Sequence, residues 1–215
     1  LEVKIVPPIE NWIHGELSTK QIKNVRIEDL LERDPIVLDN VNISREIKSK
    51  TILVTGAAGS IGSEISRQLL HYSPKKVILL DQAESPLYDL QIEMKSESPD
   101  LFKLVECVMG DVADESRMIK VFEAYKPDLV FHAAAYKHVP LMEDNPYEAI
   151  KTNVFGTKMI ADLSVRYQVG KFVMVSTDKA VNPTNVMGAT KRTAEIYTQS
   201  LQSKKGIKTQ FVITR

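Results

Sequence analysis

Six short runs of β-branched and other apolar residues recur along the chain from Thr51 onward, separated by longer segments with helical periodicity. Strands that alternate with helices in this way predict a parallel sheet covered on both faces. The predicted strands are TILVT, KVILL, LVECVM, DLVFHA, KFVMVS and TQFVIT. Helices are predicted between them at residues 60–70, 86–95, 115–125, 146–167 and 186–204. The pattern therefore predicts an α/β fold with a doubly wound parallel sheet.

The first 50 residues lack a clean helical or strand period, and Pro7, Pro8 and Pro35 interrupt them. We predict a lead-in segment over residues 1–50, with one short helix that ends before Pro35, and a second domain over residues 51–215. The chain begins at Leu1 without a methionine and stops directly after a predicted strand, so we expect it to be part of a longer protein.

The charge and composition of the chain argue against several kinds of partner. Lys plus Arg and Asp plus Glu both number 28, so no net positive charge would attract a nucleic acid. No apolar stretch reaches the roughly 18 residues that a membrane helix needs, and no secretion signal opens the chain. The single Cys107 cannot form an internal disulfide and is predicted to be an inert thiol packed on a strand. A soluble protein of a reducing compartment is expected.

Three glycines, Gly56, Gly59 and Gly62, lie between the first regular strand and the first long helix. Glycine permits backbone angles that a Cβ would forbid, and the N-terminus of a helix offers unpaired N–H groups to a pyrophosphate. Because strand, glycine turn and helix follow one another here, the sheet is predicted to be a Rossmann fold that binds a dinucleotide. The turn is expected to bind this cofactor through its glycines and through Ser60 and Ile61.

Asp81 ends the second of these strands, about 20 residues after the glycine turn, where a carboxylate can accept hydrogen bonds from the adenosine ribose. A 2′-phosphate would meet this negative charge, and no Arg follows within several residues to neutralise it. NAD is therefore the predicted cofactor rather than NADP. The alternative is that Asp81 only caps the helix that follows.

The spacing of the glycines, with two residues between each pair, resembles the extended short-chain dehydrogenase/reductase superfamily. The resemblance implies that Lys191 holds the nicotinamide ribose and that Asn153 braces the sheet. The Tyr that exchanges the proton in that superfamily, one helical turn before the Lys, is Met187 here, and a thioether exchanges no proton. Further cofactor contacts are implied after the third and fourth strands, at Asp111, Val112, Ala133, Ala134 and Ala135.

Two long segments, HAAAYKHVPLMEDNP and DKAVNPTNVMGATKR, resemble the UDP-N-acetylglucosamine 4,6-dehydratases of bacterial capsule and polysaccharide biosynthesis. A subgroup of that family pairs this Met with a triplet that here is Thr177, Asp178 and Lys179. The resemblance implies a cytoplasmic catalytic region whose parent protein is anchored in the inner membrane by upstream spans absent from this chain. The family's region that grips the nucleotide sugar follows the sixth strand, so this chain alone is expected to be nearly inactive.

The implied reaction explains the triplet. Oxidation at C4 of the sugar acidifies the C5 hydrogen, a base removes that hydrogen, an acid helps the C6 hydroxyl to leave, and hydride returns to C6. The resemblance assigns the base to Lys179, the acid to Asp178 and the orientation of the sugar to Thr177. The expected substrate is a UDP-sugar, and the expected assembly is a homo-oligomer.

Polar residues after the fourth strand lie on the edge of the sheet where ligands bind in open α/β folds. Lys137 and His138 are predicted to line the sugar pocket, together with Asn182. The alternative is a solvated loop in which Asn145 caps a helix that begins at Pro146. No cluster of His, Cys or acidic residues has the spacing of metal ligands, so no metal site is expected.

Two other functions remain open. A nucleotide-sugar epimerase shares the C4 oxidation but returns hydride to the opposite face without elimination, and the Asp178–Lys179 pair argues against it. A noncatalytic NAD-binding module would be consistent with Met187 in place of the Tyr.

Overall fold

The computed structural model describes residues 4–5, 23–24 and 39–215. The chain divides into two compact units, residues 1–40 and residues 41–215. In the first unit, β1 (Lys4–Ile5) pairs antiparallel with β2 (Lys23–Asn24). The short helix predicted before Pro35 lies outside the described residues, and the predicted division into domains at residue 50 stays a prediction.

The rest of the described chain alternates strands and helices. The strands are β3 (Thr51–Thr55), β4 (Lys76–Asp81), β5 (Val105–Met109), β6 (Leu129–His132), β7 (Lys171–Val175) and β8 (Gln210–Thr214). The α-helices are α1 (Asn40–Ile47), α2 (Ser60–Leu70), α3 (Glu84–Glu97), α4 (Pro99–Phe102), α5 (Glu115–Tyr125), α6 (Val139–Asp144), α7 (Pro146–Ala149), α8 (Thr157–Arg166) and α9 (Val186–Gln202). A π-helical turn (Ile150–Gly156) precedes α8, and a 3₁₀ turn (Asp178–Ala180) follows β7.

The six later strands form one parallel sheet in the order β5-β4-β3-β6-β7-β8. The first of them, β3, therefore lies inside the sheet, and the strand order reverses between β3 and β6. In this pair Thr55 lies opposite His132. The Ala133 N–H extends the pairing by one residue, because it donates a hydrogen bond to the Thr55 carbonyl at 2.9 Å. Ligands bind at such a switch point, outside the carboxyl ends of the strands. The prediction of a doubly wound Rossmann sheet is confirmed.

Apolar side chains pack on both faces of the sheet. One cluster joins the sheet to α5, α8 and α9 and includes Phe122, Ile160 and Phe172, which are fully buried. The other joins it to α1, α2 and α3 through residues such as Ile47 and Leu87. Covered faces explain why the strands read as nearly continuous apolar runs in the sequence.

The helix predicted over residues 146–167 is interrupted. The structure has α7, the π-helical turn and α8 in that range. A hydrophobic period alone does not distinguish π-helical from α-helical backbone, which explains the difference. The short helices α1, α4 and α6 were not predicted, because segments of eight residues or fewer carry little periodic signal. In the described part of the chain, no helix is long and apolar enough to cross a membrane.

Candidate functional site

The glycine turn between β3 and α2 has no room for side chains at two of its positions. Gly56 has φ +68°, and a Cβ there would lie 2.4 Å from the Ala134 nitrogen. A Cβ at Gly62 would lie 2.1 Å from the Gly56 carbonyl oxygen. Gly59 is the N-cap of α2 and makes no side-chain cap, so the first N–H groups of this helix face the turn without a capping side chain. Main chain, rather than side chains, forms this part of the site.

A cavity of about 230 Å³ opens beside this turn at the carboxyl edge of the sheet. Its lining comes from the ends of β3, β4, β5 and β6 and from the π-helical turn. It includes eight of the predicted cofactor residues: Gly56, Gly59, Asp81, Asp111, Val112, Ala133, Ala134 and Ala135. Four others, Ser60, Ile61, Gly62 and Lys191, are not part of this lining. The structure thus gathers most of the predicted residues from positions far apart in sequence.

The Asp81 carboxylate connects the glycine turn to the start of α3. One oxygen accepts a hydrogen bond from the Ala58 N–H at 2.9 Å, and the other accepts one from the Ala83 N–H at 3.0 Å. Ala83 is the N-cap residue of α3. The carboxylate therefore stabilises the backbone around the cavity and also forms part of its wall, while its role toward the ribose stays a prediction.

Asp111 follows β5, the strand next to β4, and also lines the cavity. One carboxylate oxygen accepts a hydrogen bond from the Ala113 N–H at 2.9 Å, and the other lies 3.6 Å from the Lys151 ammonium on the π-helical turn. Gly156 ends that turn against Val112, where a Cβ would come within 2.7 Å of a Val112 methyl group. The π-helical turn is thereby packed closely against the β5 side of the site.

Asn153, in the same turn, fixes the loop after β6. Its side-chain oxygen accepts from the Tyr136 N–H at 2.9 Å, while its amide nitrogen donates to the Tyr136 carbonyl and to Thr190 Oγ1, each at 3.0 Å. The side chain is fully buried and joins the β6 loop to α9. This is the bracing position that the sequence suggested, and the neighbouring Thr152 lines the cavity.

Lys191 extends from α9 toward the end of β7. Its ammonium donates a hydrogen bond to the Val175 carbonyl at 2.7 Å, and the residue is only 4% exposed. Burial lowers the pKa of Lys191 to about 8, while the nearby charge of Glu195 acts in the opposite direction. Near neutral pH the ammonium is therefore charged but has a weakened hold on its proton.

His132, at the end of β6, lies wholly inside the protein near Lys191. Its Nδ1 is 2.7 Å from Thr55 Oγ1 and its Nε2 is 2.8 Å from Thr157 Oγ1. Burial, and secondarily the charge of Lys191, lower the pKa of His132 to about 3. The ring is neutral, and both of its nitrogens are used in hydrogen bonds that connect β3, β6 and α8.

We expect the stability of this chain to fall as pH decreases from 6.5 to 5. The folded-state pKa of His132 is about 3, against an ordinary value of 6.5, so the unfolded chain binds the extra proton in this range. The free energy of unfolding should drop by up to about 1.4 kcal/mol per pH unit. Urea unfolding at several pH values measures it, and His132→Gln should show a smaller slope. Equal slopes for the two proteins would contradict the assignment.

The predicted catalytic triplet lies at the end of β7. Thr177 caps the 3₁₀ turn, its hydroxyl donates to Asp178 Oδ1 at 2.9 Å, and the Lys179 N–H donates to that same carboxylate oxygen at 2.9 Å. The hydrogen bond from Thr177, followed by the charge of Lys179, lowers the pKa of Asp178. The side chains of Asp178 and Lys179 are 88% and 53% exposed. Both are accessible at the same edge of the sheet as the cavity.

Met187, at the position of the superfamily's Tyr, is buried in a small apolar cluster. The cluster contains Met142 and Ala149 as its other buried members, with Tyr136 and Val139 packed against it. The first turn of α9, which carries Met187, lies close to the triplet, because a Cβ at the next residue, Gly188, would lie 2.4 Å from the Lys179 carbonyl oxygen. Met187 thus packs the loop after β6 against α9.

The predicted substrate residues are exposed and lie in two separate loops. Lys137 follows β6 and brings its ammonium to 3.4 Å from Ser60 Oγ at the start of α2. His138 is the N-cap residue of α6, and Asn182 lies in the loop before α9. Asn145 is the N-cap residue of α7 but makes no side-chain cap, and its amide donates to the Leu141 carbonyl instead.

Sequence reasoning missed half of the cavity lining. Most of the missed residues lie next to predicted residues at strand ends, and that position was the signal that could have found them. The eight missed residues are Ala58, Leu80, Gln82, Ala83, Pro86, Gly110, Tyr136 and Thr152. Cys107 is only partly buried on β5, and burial raises the pKa of its thiol. Within the described ranges, no three His, Cys, Asp or Glu side chains form a group that could hold a metal ion.

Comparison with known proteins identifies relatives along the whole chain. A family model described as "Polysaccharide biosynthesis protein" matches residues 52–215. The capsular polysaccharide biosynthesis protein CapD of Staphylococcus aureus is 50% identical over 215 residues, which are 100% of this chain and 36% of that protein. The chain therefore spans little more than a third of the length of that relative.

Two further proteins each match more than three quarters of the chain. The UDP-N-acetylglucosamine 4,6-dehydratase (inverting) of Campylobacter jejuni is 37% identical over 77% of this chain and 48% of its own length. The X-ray structure of Pen from Bacillus thuringiensis has 36% sequence identity and a TM-score of 0.71, covering 78% of this chain and 49% of that one.

Proposed function

The chain belongs to the polysaccharide biosynthesis protein family, and from this premise we propose that the full-length protein is an NAD-dependent UDP-N-acetylglucosamine 4,6-dehydratase. The observation that carries the proposal is the Thr177–Asp178–Lys179 triplet on the ligand-binding edge of the sheet, where the side chains of Asp178 and Lys179 are exposed. A relative described by that activity is 37% identical over 77% of the chain. The broader assignment of the protein as a nucleotide-sugar dehydratase or epimerase depends less on the triplet than the specific dehydratase assignment does.

The cavity is suited to a dinucleotide. Gly56 lies so close to Ala134 that no side chain fits there. The main chain of the turn is therefore not covered at this position, and a pyrophosphate can approach the N-terminus of α2. Asp81 lies in the wall of the same cavity, where its carboxylate can accept bonds from ribose hydroxyls. When bound, NAD supplies the acceptor and donor of hydride that an internal oxidation and reduction of a sugar requires.

The triplet supplies the proton transfers in this proposal. Lys179 must act as the neutral amine, which takes up the C5 proton and becomes an ammonium, and its exposed position leaves it free to reach a sugar above the sheet. Thr177 orients the sugar. Asp178 protonates the leaving C6 hydroxyl, for which it must first take up a proton. Since the Thr177 hydroxyl now donates to Asp178 and lowers its pKa, transfer of this hydrogen bond to the substrate would raise that pKa and let Asp178 take up the proton that it must donate.

Lys191 completes the site by offering its ammonium to the nicotinamide ribose. Its present hydrogen bond to the Val175 carbonyl already holds it at the end of β7, directly before the triplet. Lys137, His138 and Asn182 are the proposed contacts to the UDP-sugar from this chain. We further propose a cytoplasmic, homo-oligomeric catalytic region in which the rest of the full-length protein completes the substrate site.

Product analysis tests the function directly. The full-length protein should convert UDP-N-acetylglucosamine to a product that has lost one water and carries a keto group at C4, as read by mass spectrometry and NMR. An epimerase would leave the mass unchanged and invert C4, and a noncatalytic module would leave the substrate untouched. Either result would contradict the proposal.

The chain should bind NAD more tightly than NADP, because a 2′-phosphate would be repelled by the Asp81 carboxylate. Replacing Asp81 by Asn should reduce the preference by about tenfold, equivalent to about 1.4 kcal/mol. Calorimetry with both dinucleotides measures it. Asp114→Asn is the matched control, because this Asp also accepts a backbone hydrogen bond, from Arg117 at 3.0 Å, but does not line the main cavity. A preference for NADP in the parent chain would contradict the assignment of Asp81 to the ribose hydroxyls.

A further inference from the structure

One helical turn beyond Lys191, α9 carries a carboxylate that is completely buried. Glu195 is 0% exposed. Arg215, at the end of β8, donates to its two oxygens from Nε at 3.0 Å and from Nη2 at 2.8 Å, and Arg192 donates at 3.0 Å. Burial alone would raise the pKa of Glu195, but the hydrogen bonds, led by that from Arg215, hold it at about 2. The group is therefore a permanent negative charge inside the protein.

This charge lies on the same face of α9 as Lys191, because residues four apart in an α-helix are neighbours, and both residues are buried. Burial favours the neutral amine of Lys191, and the Glu195 carboxylate opposes that effect by favouring the ammonium. His132 approaches from β6 but is neutral, because its pKa is lowered to about 3. Other titratable groups that α9 carries or contacts, or that lie on the turn beside it, include Arg192, Arg215, Tyr197, Glu143, Lys158, Asp162, Asp178 and Lys179.

We infer that Glu195 is a positioning residue for Lys191: locked to β8 by Arg215, it holds α9 in place and keeps the Lys191 ammonium charged at the end of β7. The inference rests on the proposed function only in that Lys191 is there assigned to the nicotinamide ribose. The Arg215 pair makes the arrangement specific, because a bidentate guanidinium fixes the carboxylate in one orientation. An uncharged side chain at this position would fill the space without supporting the ammonium.

The titration midpoint of Lys191 tests the inference without substrate or cofactor. The chain is labelled at lysine ¹³Cε, the Lys191 signal is identified by its loss in Lys191→Met, and the parent is compared with Glu195→Gln. Removal of the carboxylate should lower the midpoint by about one pH unit, since a nearby opposite charge shifts a pKa by about that much or more. Glu195→Asp, which keeps the charge, should restore most of the shift.

Arg215→Met is the matched control. It breaks the same link between α9 and β8 but leaves the carboxylate in place, so the Lys191 midpoint should not fall, although both variants should unfold at lower temperature than the parent. A purely structural role for Glu195 predicts equal midpoints in all three proteins. That result, or an equal fall in Arg215→Met and Glu195→Gln, would overturn the inference.

The two proposals can fail separately. If the full-length protein releases no dehydrated product, the proposed function fails while the Lys191 titration remains readable. If the function holds, the alkaline limb of kcat/KM in full-length Glu195→Gln should move to lower pH by the same amount as the NMR midpoint. An alkaline limb that stays in place despite a shifted midpoint would contradict the role of Glu195 in preparing Lys191 for the reaction.

Discussion

Full-length protein with Lys179→Met should lose exchange of the sugar C5 hydrogen with solvent. Lys179 is the proposed base, and Met has a similar length but accepts no proton. The side chain is 53% exposed and its ammonium lies 3.9 Å from Asp178 Oδ1, so the substitution should leave the fold intact. Loss of a general base typically costs about 10² to 10⁴ in rate. Deuterium incorporation at C5, followed by NMR in D₂O, measures the effect.

Two variants accompany this experiment. Asp178→Asn should slow loss of the C6 hydroxyl while C4 oxidation still occurs, because only the acid is removed. Met187→Ala should cost much less than Lys179→Met, since the buried Met187 packs against apolar side chains and offers no group that exchanges a proton. If Met187→Ala proved as damaging as Lys179→Met, or if Lys179→Met exchanged C5 hydrogen at the parent rate, another base would have to be sought, first at Lys137 and His138.

Gly56→Ala should destabilise the chain severely and abolish dinucleotide binding. The residue combines a positive φ of +68° with a Cβ position 2.4 Å from the Ala134 nitrogen, which is main chain and cannot swing aside. The strained φ costs about 1–2 kcal/mol and the overlap about 1–3 kcal/mol, so a loss of about 2–5 kcal/mol is expected. Thermal unfolding and calorimetry with NAD measure the two effects.

Gly206→Ala separates backbone strain from overlap. Gly206 also has a positive φ, +88°, but a Cβ there would meet nothing within 4 Å. This variant should therefore lose only about 1–2 kcal/mol and retain dinucleotide binding. Equal losses of stability in the two variants would show that the close approach of the glycine turn to the β6 loop is not what makes Gly56 necessary.

The sheet and the glycine turn could be predicted from the sequence because each depends on local pattern. All six strands coincide with the apolar runs beginning at Thr51, and α2 and α5 have the predicted bounds. The family resemblance is confirmed by the match over residues 52–215. Strand-end residues such as Asp81 and Ala133 could be placed at the site for a simple reason: in a parallel sheet the carboxyl ends of all strands share one edge.

The features that escaped prediction depend on contacts between distant segments. Glu195 reads as an ordinary polar residue of a helix until Arg215 is placed beside it by the β7–β8 pairing. The π-helical turn follows from close packing of Gly156 on Val112 and from the bonds of Asn153 to two other segments. His132 could not be recognised as buried and neutral without knowledge of the two threonines that enclose it.

The order of strands also has a consequence for how the chain folds. Strands β3 to β5 pair with one another through local crossovers, and so do strands β6 to β8. Within the sheet, the two groups of strands pair only where β3 lies beside β6, and Thr55 and His132 in that pair are 77 residues apart. Closing so long a loop delays its contacts, so we expect each group to assemble before the central pair forms. The cavity is lined from both groups of strands, by Asp81 from the first group and by Ala134 from the second. A bound dinucleotide would therefore contact both groups of strands and hold together the pair that is expected to form last. It should slow unfolding as well as favour the native state.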